Sequence, residues 1–98
     1  MYASVLMVDL RLPLADSLKA KRAVITPILE GARRRHKVAV AEVAHQDNWR
    51  RSELAFATVA SRESQAREVL DAVERFVWSF PEVEVGPKRL GWLEEEET

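Results

Sequence analysis

Leu6, Val8, Leu10 and Leu12 alternate with Met7, Asp9 and Arg11, and this period of two predicts a strand over Tyr2–Leu12 that Pro13 closes. The period then lengthens. Leu18, Ile25, Ile28, Leu29 and Ala32 make one stripe of a helix that Asp16 or Ser17 can cap and that runs to about His36. Pro27 removes one hydrogen bond inside that pattern, so a kink is expected there. Gly31 weakens the same stretch, and two helical pieces are the alternative. Lys37–Ala44 and Glu53–Ala60 read as two further strands, joined by the polar hairpin His45–Ser52. Ala66, Val69, Leu70, Val73, Phe76, Val77 and Phe80 mark a second helix, with Ser61 to cap it and Pro81 to end it. Arg67, Asp71 and Arg75 are spaced for ion pairs on its wet side. Val83 and Val85 open a last strand, bent near Gly86–Pro87.

The order is βαββαβ. Two split βαβ units of this length make an α+β, ferredoxin-like sandwich: a four-stranded antiparallel sheet with two helices on one face. Right-handed crossovers set the strand order 4-1-3-2. A chain of 98 residues holds one such domain, expected over 1–93, with an acidic tail over 94–98. No uncharged run exceeds 8 residues, so no membrane contact is expected. The N-terminus lacks the basic start and apolar stretch of a signal peptide, and the cytoplasm is the expected location.

The net charge of −1 conceals an asymmetry. Residues 1–51 carry ten basic and five acidic side chains, and residues 52–98 carry five basic and eleven acidic ones. Strand direction places the start of the first helix and the hairpin between strands two and three at one end of the sheet. Lys19, Lys21 and Arg22 would there meet Trp49, Arg50 and Arg51. Helix N-termini favour anions, arginine grips phosphate, and tryptophan stacks on bases, so this end is a candidate anion or nucleic-acid site. The plainer reading is solvation of a helix end. Lys19, Arg22, Arg33 and Lys37 also form a basic stripe on the first helix, read as its wet flank.

If Leu6, Val8 and Leu10 face the helices, Ala3, Val5 and Met7 face the other way, with Ala55, Ala57 and Val59 beside them. An uncovered apolar sheet face marks an interaction surface, so self-association through that face or through an edge strand, into a homodimer or larger oligomer, is expected. Strand one lacks the central aromatic that RNA-recognition motifs use for stacking.

Candidate chemistry is thin. With no cysteine there is no thiolate nucleophile and no Cys-held metal, and three scattered glycines make no phosphate loop. His45 and Asp47 lie two apart in the hairpin, but nothing supplies a third ligand or a nucleophile at recognisable spacing. They are read as turn residues that can support a neighbouring site. No cofactor, metal or catalytic residue is expected, and the protein reads as non-enzymatic.

The blocks Ser17-Leu18-Lys19-Ala20-Lys21-Arg22 and Ala41-Glu42-Val43, with His45-Gln46-Asp47 and Trp49-Arg50, resemble the YlxP-like family of small bacterial proteins of unknown function. The likeness spans about residues 3–90, and Pro27 and Gly31 depart from the family's first helix. It implies a ferredoxin-like fold and no catalytic residues. The family's genes commonly sit near those of translation factors, which implies contact with RNA or the ribosome.

Overall fold

Tyr2–Arg11 forms the strand β1, its burial alternating from Ser4 onward, and it lies at the centre of the sheet between β3 and β4. Its even positions from Ser4 to Leu10 are buried, and its odd positions stay partly open. The computed structural model describes residues 1–95 and sets out the remaining elements in the expected order. These are α1 (Leu18–His36), β2 (Ala39–Ala44), β3 (Arg51–Ala60), α2 (Glu63–Trp78) and β4 (Glu84–Glu94). The four strands form one antiparallel sheet in the order β2-β3-β1-β4, the reverse reading of 4-1-3-2. Register is strongly held. A one-residue slip of β1 would carry Leu6, Val8 and Leu10, each 0–1% exposed, to the other face. At about 1.5–3 kcal/mol per buried side chain that costs roughly 5–9 kcal/mol, as much as a whole domain's stability.

The core lies between the sheet and both helices. Leu6, Val8, Leu10, Leu54 and Phe56 rise from the strands; Ile25, Ile28 and Ala32 descend from α1; Leu70, Val73 and Val77 descend from α2. Ser17 caps α1, its hydroxyl accepting from the Ala20 N–H at 3.0 Å. Lys37 ends the helix in the left-handed region, donating its N–H to the Arg33 carbonyl. The helix runs unbroken through Pro27, so the alternative of two helical pieces is set aside. Pro27 is on the exposed side, so its ring faces water and its missing N–H removes a single rung. At Gly31 the Phe76 ring of α2 fills the space a Cβ would need.

Three other expectations are corrected. The cap of α2 is Arg62, not Ser61, and no side-chain bond closes it, leaving Glu63 to face the positive helix end. Arg67 pairs with Glu63 at 2.7 Å, and among the described residues the expected pairs of Asp71 with Arg67 and Arg75 do not form. The last strand opens at Glu84 and is bent at Gly86–Pro87 as expected, but it runs on to Glu94, beyond the expected start of the tail. It shifts register opposite Val8–Leu10, where Gly86 packs close to the Asp9 backbone, and then pairs with β1 as far as Tyr2↔Glu94. The first two residues of the acidic run thus lie alongside β1, and Glu95 exchanges backbone bonds with Met1 at 2.9 and 3.0 Å. The rest of the expected tail, 96–98, lies outside the described residues.

Candidate functional site

The hairpin end is built around one lysine. α1 descends beside β2, and its position 21 faces inward, one turn above Ile25 on the buried stripe. Lys21 is 1% exposed. Its ammonium donates to the carbonyls of His45 (2.8 Å), Gln46 (3.2 Å) and Arg51 (3.3 Å) and meets Glu42 Oε2 at 2.8 Å. Glu42 also accepts from the hydroxyl of buried Ser52 at 2.6 Å. Three N–H donors therefore serve four oxygens, and every direction the ammonium can bond is taken.

The two stretches thus meet as expected, but Lys21 is not a ligand contact. It is a staple, and the reading of it as an anion-binding cation is corrected. A charge this deep is held only where its partners are complete. The backbone conforms to it: His45 takes φ 64°, a left-handed conformation costly for a side-chain-bearing residue, and its carbonyl receives both Lys21 and the Asn48 N–H. Asn48 Oδ1 in turn accepts from the Arg50 N–H at 2.9 Å, and the Arg50 carbonyl accepts from Leu12 N–H at 2.9 Å. The loop 45–50 is stitched from within and from both neighbouring segments.

Arg51 is also engaged at home. Its guanidinium reaches Asp9 at 3.1 Å, and that hydrogen bond holds the Asp9 carboxyl below the usual carboxylate range. Arg50 is exposed and spends its Nε on the Ala15 carbonyl at 3.2 Å. Lys19 and Arg22 are exposed on the first turns of α1, and Trp49 is 50% exposed. His45, Asp47, Trp49 and Arg50 border an open, shallow hollow of about 660 Å³. Among the described residues no group of three or more His, Asp or Glu converges to hold a metal ion. The basic stripe of α1 is broken, because Arg33 pairs with Glu30 at 2.7 Å.

The second candidate surface is the sheet face away from the helices. Strand register lines its residues in rows: Ala39, Ala57, Val5 and Gly91 in one, and Ala41, Ala55, Met7 and Arg89 in the next. Val59, Ala3 and Leu93 form a third. Ala3, Val5, Met7, Ala55, Ala57 and Val59 are all where the alternation put them. Val59 is 69% and Leu93 59% exposed, and the alanines of β2 and β3 leave a depression of about 140 Å³. Towards the hairpin end the face turns charged, with Asp9–Arg51 and Glu53–Arg89 paired across strands. Gly91 and Leu93 were not legible, since the last strand showed no clear pattern beyond Val85.

Residues 3–87 match the family described as "Protein of unknown function (DUF503)". The chain belongs to this family. It is 38% identical over 79 residues to "Uncharacterized protein YlxP" of Bacillus subtilis (strain 168), covering 81% of this chain and 86% of that one. The solution NMR structure of a de novo designed protein with ferredoxin fold, LFR1 1, superimposes with a TM-score of 0.56 at 13% identity, covering 92% of this chain and 85% of the design. The de novo designed protein Foldit4 gives 0.54 at 14% identity, covering 96% and 99%. These two likenesses establish the ferredoxin-like fold of the DUF503 chain and nothing about its activity. No helix among the described residues is long and apolar enough to cross a membrane.

Proposed function

We propose that this DUF503 protein is a non-enzymatic, cytoplasmic protein-interaction module that assembles through its uncovered sheet face. The observation that carries the reading is the continuity of that face. The row Ala39–Ala57–Val5–Gly91 is apolar across all four strands, flanked by Val59–Ala3–Leu93 on one side and by Ala41–Ala55–Met7 on the other, with the ion pairs Glu53–Arg89 and Asp9–Arg51 towards the hairpin end. Small side chains make a flat surface, and flat apolar sheets stack closely, about 10 Å apart. Light scattering on the purified chain tests it. Val5→Asp places a carboxylate in the middle of the face and reduces the assembled mass with the circular-dichroism spectrum unchanged. Equal masses for wild type and variant overturn the reading.

A second reading, contact with RNA or a ribonucleoprotein at the hairpin end, rests on Trp49 standing half exposed beside Arg50 on a braced loop. The paired Lys21 and Arg51 weaken it, leaving Lys19, Arg22 and Arg50 as the candidate phosphate contacts. Binding to single-stranded RNA across salt concentrations decides it. Trp49→Ala lowers affinity at every salt, whereas Arg50→Ala reduces the log–log salt slope by about 0.7 per lost phosphate contact. No binding at low salt removes this reading.

A further inference from the structure

The sheet treats its two edges differently. β4, at one edge, carries Pro87, Lys88, Arg89 and a register shift opposite β1, the devices by which proteins keep an edge from pairing. β2, at the other, reads Ala-Val-Ala-Glu-Val-Ala, with no proline, lysine or arginine; the only such device is a register shift against β3 between Glu42 and Ala44, which leaves Ala39–Glu42 regular. Its single acid, Glu42, is turned towards Lys21 and Ser52 and satisfied within its own chain. Among the described residues no backbone group of Ala39–Ala44 bonds to backbone outside the ladder with β3. One side-chain bond, from Gln46 to the Glu42 carbonyl at 3.4 Å, touches this strand from the loop.

A strand's backbone points alternately to its two neighbours, so half the N–H and C=O groups of β2 face outward without a protein partner. What completes them is another extended strand, and its side chains must be small or β-branched and uncharged where they abut Ala39, Ala41 and Val43. β2 itself meets that description. We propose that Ala39–Ala44 pairs antiparallel with the same strand of a second copy across a two-fold axis, giving a dimer with an eight-stranded sheet. The symmetry supplies the antiparallel sense, and one contact closes two bare edges. No unpaired charge enters the seam, because each Glu42 keeps its own Lys21. The row Ala39–Ala57–Val5–Gly91 then continues into its mate, doubling the width of the apolar face. This rests on the reading of the protein as an assembly module, and it names the first partner as a second copy.

Measurements on the full chain, read together, tell the edge from the face. Ala41→Lys with Val43→Lys charges two exposed positions of β2, where the edge borders the open face, and raises the dimer dissociation constant at least about tenfold; Val5→Asp charges the middle of the face alone. Val5→Asp leaves the edge dimer and removes only larger assemblies, and the combined variant is monomeric. Hydrogen exchange on the unaltered protein gives an independent answer: amides of Ala39–Ala44 lose protection on dilution, in step with the fall in mass. An edge variant of unchanged mass overturns the edge pairing and leaves the face reading standing. Exchange at β2 that is independent of concentration does the same. Loss of all association in Val5→Asp alone assigns the contact to the face and overturns the edge.

Discussion

Replacing Lys21 by methionine removes the ammonium while keeping a chain of similar length in the stripe above Ile25. Glu42 is then left without its counter-charge, and the carbonyls of His45, Gln46 and Arg51 lose their donor. Breaking a buried ion pair from one side costs about 3–5 kcal/mol. The Glu42 side chain is 17% exposed and keeps the Ser52 hydroxyl, which places the cost near the lower end, at about 3 kcal/mol. Domains of this size have about 5–15 kcal/mol in all, so the loss is visible without abolishing the fold. With a urea dependence of about 1–2 kcal/mol per molar, the unfolding midpoint falls by about 1.5–3 M. Adding Glu42→Gln removes the stranded charge but keeps an acceptor for Ser52, so the double variant loses at least about 1 kcal/mol less than the two singles added together. Amides of the loop 45–51 exchange faster in Lys21→Met than those of α2, because the loop loses its anchor before the core does. A midpoint shift below about 0.5 M, with additive singles, would refute the staple and leave Lys21 as mere packing.

The Asp9–Arg51 pair predicts an acid dependence. The folded pKa of Asp9 lies below its unfolded value, so the pair's stabilisation is complete above the ordinary Asp range near about 3.9 and is lost as pH falls through the folded value. Asp9→Asn flattens that acid limb of the melting temperature against pH, and an unchanged limb assigns the acid sensitivity elsewhere. Gly31→Ala gains helix propensity but drives a Cβ into the Phe76 ring, which is held edge-on by Phe80 and His36. The clash wins, for a net loss of about 1 kcal/mol in urea unfolding, and the sign reverses in a Phe76→Leu background.

Periodicity made the architecture legible because the burial alternation of β1 and β3 and the apolar stripe of α2 are nearly uninterrupted. Crossover handedness then supplied the strand order. Lys21 was misread because exposure was assigned from its charge. Its place in the pattern said otherwise: 21, 25, 28 and 32 form one stripe, and Glu42 is the lone acid of an apolar strand. Each residue is unremarkable alone, and only the topology brings them 2.8 Å apart. The same assignment gave Arg51 to a ligand, although Asp9 lies diagonal to it across the β1–β3 ladder. β4 was the least legible element. Pro87, two glycines and the register shift erase its alternation, so the pairing of β1 from Leu6 back to Tyr2 specifies where its end runs.

The pairing of Tyr2 with Glu94 has a consequence for biosynthesis. β4 borders β1 although α1, β2, β3 and α2 lie between them in the chain, so β1 keeps a bare flank until β4 has been made. Until then a nascent chain can form only the three-stranded β2-β3-β1 arrangement, open on both sides. Distant pairings of this kind close slowly. A sheet missing its fourth strand exposes unpaired strand edges, the kind of surface through which unfinished chains stick together.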